Sequence, residues 1–209
     1  EYPVFESIEK CDVEADVVID FSNAKAVDGL LDYCVEKQIP VVLCTTGLSE
    51  EQLAKVKEAG EKVAVLRSAN MSLGVNLLMK LLKDAAKVLA PAGFDIEIVE
   101  KHHNQKIDSP SGTAVMLYDG INKALDDSLE PTYDRHSIHR KRERNEVGIS
   151  SIRGGTIFGE HTVMFAGQDE IVEVKHTALS KEVFANGAVA ALKALMNKDK
   201  GLFDLKTLY

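Results

Sequence analysis

IPVVLCT, residues 39–45, decides the reading of this chain. It is a short, nearly continuous apolar run that closes on small polar residues, with a helical pattern on either side. The run before it, ADVVIDF (15–21), has the same character and leads into NAKAVDGLLDYCVEK (23–37). The run after it, KVAVLRSA (62–69), feeds MSLGVNLLMKLLKDAAKVLA (71–90). Between the two lies SEEQLAKVKEAGEK (49–62), where Ser49 and Gln52 stand at capping-box spacing. Continuous Val/Ile/Leu runs belong to strands covered on both faces, and their alternation with helices predicts a parallel sheet built from right-handed crossovers. The pattern is that of half a doubly wound α/β domain.

From residue 94 the pattern changes. FDIEIVE (94–100) alternates like a strand with one wet face, and a helix follows over 111–125. After the polar stretch 126–148 come ISSIRGGT, GEHTVMFAG and DEIVEVKHTAL, the last two joined by the turn Gly167-Gln168. A strand, a helix and then consecutive strands predict an α+β domain with a mixed or antiparallel sheet. In KEVFANGAVAALKALMNK (181–198), Phe184, Ala188, Ala191, Leu192 and Leu195 share one helical face, expected to pack back on the first domain. The division expected is 1–70 with 186–209 as the nucleotide-binding domain, and 71–185 as a domain for substrate binding and oligomerisation.

Composition narrows the function classes. A formal net charge of −8 disfavours nucleic acid as a partner, because phosphate binding needs a basic face. The one basic cluster, HRKRER (139–144), reads as a solvated loop, with contact to an anion as the alternative. Three cysteines, Cys11, Cys34 and Cys44, are odd in number and form no CxxC pair, which suits a reducing cytosol. No apolar run approaches the roughly 18–20 residues of a membrane span. The histidines include no HExxH, so no metal site is expected. Ser111 and Cys44 lack the surroundings of a nucleophile.

Ligands of open parallel sheets bind beyond the carboxyl ends of the strands. There lie Asp20-Phe21-Ser22-Asn23, Cys44-Thr45-Thr46-Gly47 and Ser68-Ala69-Asn70-Met71, which combine amides at helix starts with short polar side chains suited to a nucleotide. No GxGxxG stands in the first 60 residues. A second cluster is denser. His102 and His103 follow the 94–100 strand, Lys106 lies on the next turn, and Asp108-Ser109-Pro110 leads to Ser111, Gly112 and Thr113 at a helix start. Each feature alone is an ordinary cap or surface residue. Together they suit a carboxylate-bearing substrate that needs a proton delivered.

EKHHNQKIDSPSGTA (100–114) closely resembles the E-x-H-H-x-x-K-x-D-x-P-S-G-T-A signature of the dihydrodipicolinate reductase family. DVVIDFS, CTTGLS, ANMSLGVN, RGGTIFGEHTVMFAG and FANGAVAAL resemble further landmarks of that family in the same order, so the likeness covers essentially the whole chain. It implies a Rossmann-type domain and an α+β substrate domain. The activity implied is NADH- or NADPH-dependent reduction of a cyclic dicarboxylate in the diaminopimelate route to lysine, by a cytoplasmic homotetramer. It also implies His102 as proton donor or acceptor and Lys106 as proton donor, with His103, Ser111, Gly112 and Thr113 holding the substrate. Phe21, Cys44, Thr45, Thr46, Ser68, Ala69, Asn70 and Met71 would line the cofactor, although the family usually has Gly where Cys44 stands. The family opens with a strand and a G-x-x-G-x-M-G loop absent from these residues, so a first βαβ unit is expected to be missing. Two other readings are a non-catalytic anion- or nucleotide-binding module, and a related two-domain dehydrogenase acting on a sugar or aldehyde.

Overall fold

The computed structural model describes residues 2–205. The chain divides into two compact units, one running to Leu73 and resuming at Phe184, the other spanning Gly74–Val183. These limits differ by two or three residues from those the sequence suggests.

The first unit is built on strands β1 (Val18–Asp20), β2 (Val41–Leu43) and β3 (Ala64–Arg67), with helices α1 (Ala24–Lys37) and α2 (Glu50–Gly60) as crossovers. All pairings are parallel, Ile19 lying opposite Val42 and Val42 opposite Leu66. Alternate residues of each strand serve different cores. Val41, Leu43 and Val65 pack with Val27, Leu31 and Cys34 of α1 and Val56 and Ala59 of α2. Val42, Ala64 and Leu66 face the other way, onto Ala188, Ala191 and Leu195 of helix α5 (Glu182–Leu195). Two covered faces are why these strands read as unbroken apolar runs. Each fully buried Leu or Val contributes about 1.5–3 kcal/mol relative to exposure. The capping box at Ser49 and Gln52 is present, and Asn23 caps α1.

A fourth strand, β9 (Gly201–Phe203), pairs in parallel with β3 and was not expected. Three residues with a single large aliphatic carry no periodic signal. Its place is secured by a close approach instead: a Cβ on Gly60, at the end of α2, would stand 3.2 Å from Leu202 Cβ.

The second unit carries a five-stranded mixed sheet in the order β5-β6-β4-β7-β8. Its strands are β4 (Asp95–His102), β5 (Glu130–Thr132), β6 (Glu146–Arg153), β7 (Gly159–Ala166) and β8 (Ile171–Ala178). β4 runs parallel to β6 and antiparallel to β7, and β7 and β8 form the hairpin expected at Gly167. Helices α3 (Leu73–Leu89) and α4 (Gly112–Ala124) contribute Leu78, Leu82, Leu117 and Ile121 to a core shared with Ile96, Ile98, Val147, Val163 and Phe165. β5 was hidden inside the polar stretch because Pro131 breaks its pattern, and a proline is tolerated on an edge strand.

The basic cluster is no free loop. Arg142 donates to Asp95 at 2.7 Å and Glu97 at 3.0 Å, while Arg140 and Arg135 both pair with the buried Glu146. A Cβ on Gly148 would fall 1.8 Å from Glu97 Oε2, so the bare glycine makes room for that carboxylate. Asp95 and Glu97 lie more than forty residues before Arg142, and Glu146 is buried only because β6 begins there, which is why the sequence pattern left the arginines in solvent. Among the described residues no helix is long and apolar enough to cross a membrane, and no group of three or more potential metal ligands occurs.

Candidate active site

The inward face of β4 begins as core and ends as chemistry. Ile96, Ile98, Glu100 and His102 are its buried positions, so the period-2 alternation of a strand carries a carboxylate and an imidazole into the phase of the isoleucines. On β7, His161 occupies the same phase as Val163 and Phe165, directly opposite Glu100. On β6, Arg153 pairs in register with His102.

Glu100 is fully buried and holds this end of the sheet together. Its Oε2 lies 2.5 Å from His102 Nδ1 and accepts from Arg153 at 2.8 Å. Its Oε1 accepts from Arg153 at 2.7 Å and from the Ser111 amide at 3.1 Å. Burial by itself would raise the Glu100 pKa, but hydrogen bonds from Arg153, Ser151, His102 and the Ser111 amide outweigh it and hold the group at about 2. Glu100 is therefore ionised and can only accept. His102 Nδ1 must carry the hydrogen between them, which leaves Nε2 to exchange protons.

Ser111 caps α4, its hydroxyl accepting from the Ala114 amide at 3.2 Å. The same hydroxyl lies 2.9 Å from His161 Nε2. Burial, assisted by the charge of His102, pushes the His161 pKa down to about 4, so this ring is neutral at pH 7. The His102 and His161 rings meet edge to face at 5.1 Å. A neutral His161 spares His102 a second positive charge at that distance.

His103 is half-buried and follows the last residue of β4, with its carbonyl accepting from the Lys106 amide. Lys106 donates to Asp108 at 2.8 Å, and that contact holds the Asp108 carboxyl below its usual range. Arg153 also donates to the Asp108 carbonyl at 2.8 Å, fastening this loop to the Glu100 cluster. Gly112 is exposed, and a Cβ there would meet nothing within 4 Å, so the start of α4 is open. Thr113 is half-buried on the first turn. The structure thus brings His102, Lys106, Ser111, Gly112 and Thr113 to one end of the second unit, with His103 on the same loop.

Sequence reasoning gave no role to Glu100, Arg153 or His161. Two of them had a legible signal, a charged or titratable residue in the apolar phase of an alternating strand. Arg153 had none, since its role depends on register between strands.

The nucleotide candidates lie at the carboxyl ends of β1–β3 in the first unit. The Asp20 carboxylate accepts from the Ser22 amide at 3.0 Å and the Thr45 hydroxyl at 2.6 Å, tying two of these loops together. Thr45 is therefore buried and occupied. The Cys44 and Met71 side chains are buried in the core beneath, and burial with the Asp20 charge pushes the Cys44 thiol up to about 12, so it is no reactive group. Phe21, Thr46 and Ala69 are exposed on this edge. The Ser68 hydroxyl donates to the Asn70 carbonyl at 2.8 Å, and Asn70 Oδ1 accepts from the Ser72 amide at 2.9 Å. An exposed aromatic ring, a free-standing threonine and turns rich in amides fit a nicotinamide nucleotide. Cys44, Thr45 and Met71 could contribute main chain alone.

Comparison with known proteins agrees along the chain. The family described as dihydrodipicolinate reductase, N-terminus, matches residues 1–71, and its C-terminus counterpart matches residues 74–208. A 4-hydroxy-tetrahydrodipicolinate reductase of Clostridium novyi (strain NT) is 52% identical over 98% of this chain and 80% of that protein. One from Caldanaerobacter subterraneus subsp. tengcongensis is 50% identical over 100% of this chain and 82% of that protein. A dipicolinate-bound dihydrodipicolinate reductase from Paenisporosarcina sp. TG-14 shares the fold, with a TM-score of 0.73 at 22% identity over 93% of this chain and 74% of that one. The buried histidine and carboxylate, the open helix start and these likenesses agree: the chain belongs to the dihydrodipicolinate reductase family.

Proposed function

We propose that the reaction of this family runs here with His102 as the proton donor and Lys106 as a second acid and carboxylate ligand. The family comprises NAD(P)H-dependent oxidoreductases that reduce 4-hydroxy-tetrahydrodipicolinate on the diaminopimelate route to lysine. The observation that carries the residue assignment is the ionised, buried Glu100 behind His102, on the same loop system as Lys106 and the start of α4.

The substrate is a cyclic dicarboxylate. Its carboxylates suit the Gly112 and Thr113 amides at the positive end of α4, with Lys106, His103 and Ser111 completing the cradle. Lys106 exchanges its partner Asp108 for a substrate carboxylate at little cost, because one charge pair replaces another. The nicotinamide cofactor, NADH or NADPH, supplies the hydride. Negative charge then builds on the ring, and His102 Nε2–H quenches it while Glu100 steadies the ring of His102. Phe21, Thr46, Ser68, Ala69 and Asn70, with the main chain of Cys44, Thr45 and Met71, are the residues assigned to the cofactor.

The assembly proposed is a cytoplasmic homotetramer joined through the second unit, where β8 leaves Ile171 and Val172 exposed. Calorimetry with dipicolinate tests the substrate cradle. Lys106→Ala is expected to weaken binding about tenfold to a hundredfold, as loss of a charge-assisted contact does. Unchanged affinity would remove Lys106 from the cradle.

A further inference from the structure

We propose that Glu100, clamped by Arg153, is a positioning residue that fixes His102 in its Nδ1–H form and sets its distance from the first turn of α4. The inference rests on the reading of His102 as proton donor and extends it to residues that touch neither substrate nor cofactor.

Three observations carry it. The first is that a carboxylate with no exposure and a guanidinium occupy positions where the strand pattern would accept Leu or Met. A buried ion pair contributes little to stability compared with apolar residues of the same size, so stability does not explain this one. The second is the distribution of bonds. Both oxygens are held from several sides: Arg153 spans them, His102 Nδ1 takes one and the Ser111 amide takes the other, with Ser151 as a further hydrogen-bond partner. The third is where those donors come from. His102 is on β4, Ser111 opens α4 and Arg153 closes β6, so one carboxylate fixes the acid, the helix start and the adjoining strand relative to each other. Arg153 is itself held by the Asp108 and Ile152 carbonyls, both at 2.8 Å. With the Nδ1 hydrogen held by Glu100, Nε2 alone takes up and gives the proton; without the carboxylate the neutral ring is free to carry its hydrogen on Nε2, and it then takes up the next proton on Nδ1, away from the site of transfer.

The test uses the full chain. Glu100→Gln alone strands a part-buried guanidinium, so it is paired with Glu100→Gln/Arg153→Gln, which removes both charges and keeps the volume at position 100. Histidine 15N NMR reads the His102 tautomer directly, with His102→Gln supplying the assignment. In the double variant the Nδ1–H form is expected to give way to a mixture. Turnover is expected to fall about a hundredfold, the scale of a misplaced general acid. Dipicolinate affinity is expected to fall less than turnover, by about tenfold or less, since Lys106, Gly112 and Thr113 remain while the ties from Arg153 to the Asp108 carbonyl and from Glu100 to the Ser111 amide are weakened. An unchanged tautomer in the folded double variant overturns the proposal, and so does normal turnover when His102→Gln is inactive. Normal turnover in His102→Gln itself would instead overturn the role of His102, and the tautomer measurement keeps the two failures apart.

Discussion

Acid should unfold this protein partly through His161, and the size of that effect follows from its surroundings. The ring is 4% exposed, its Nδ1 has no hydrogen-bond partner, and its neighbours include His102, Glu100, His176 and Lys106. Burial first and His102 second press its pKa from 6.5 to about 4. In the unfolded chain the ring takes up a proton as pH falls below about 6.5, whereas the folded chain takes none until about 4. Stability present above the upper value is therefore lost as pH falls toward the lower one, reaching about 3 kcal/mol. His161→Gln removes the titration and keeps a polar partner for Ser111. Urea unfolding followed by circular dichroism at about pH 7 and about pH 5 should show the unmodified protein losing about 2 kcal/mol more than the variant. His176, also lowered by burial, adds to the loss of stability in acid in the same direction but is common to both proteins. Glu100, held at about 2, loses its contribution only below the ordinary carboxylate range. Parallel pH dependences, within about 0.5 kcal/mol, would refute the claim that His161 is held neutral.

Two glycines give further predictions. A Cβ on Gly159 would stand 3.1 Å from His102 Nε2, the atom assigned to proton transfer. Gly159→Ala should lower kcat about tenfold or more with a stability change below about 1 kcal/mol, read by steady-state assay and thermal melting. A Cβ on Gly187 of α5 would fall 1.7 Å from the Met71 carbonyl oxygen, inside the 68–72 turn. Gly187→Ala should destabilise the protein by about 1–3 kcal/mol or more and weaken NADH and NADPH binding, measured by urea unfolding and nucleotide fluorescence.

Much of this architecture was legible because it rests on periodicity. Unbroken runs such as IPVVLCT mark strands covered by α1 and α2 on one face and α5 on the other, and the alternation in β4 marks a sheet covered on one side. The same alternation held Glu100 and His161 in plain view, since both occupy the buried phase of their strands. What stayed hidden depends on distance along the chain. Arg142 reaches Glu97, Arg153 reaches Glu100, and β9 reaches β3 only after the sheets have assembled. The motif around His102 identified the loop. Register between β4, β6 and β7 then added the carboxylate and the guanidinium behind it.

The most direct measurement is steady-state oxidation of NADH and of NADPH with 4-hydroxy-tetrahydrodipicolinate, comparing the protein with His102→Gln. Loss of about a hundredfold or more in kcat, with dipicolinate affinity nearly unchanged, is the predicted result. Equal turnover in the two proteins, or a loss confined to KM, would contradict the assignment of the proton to His102.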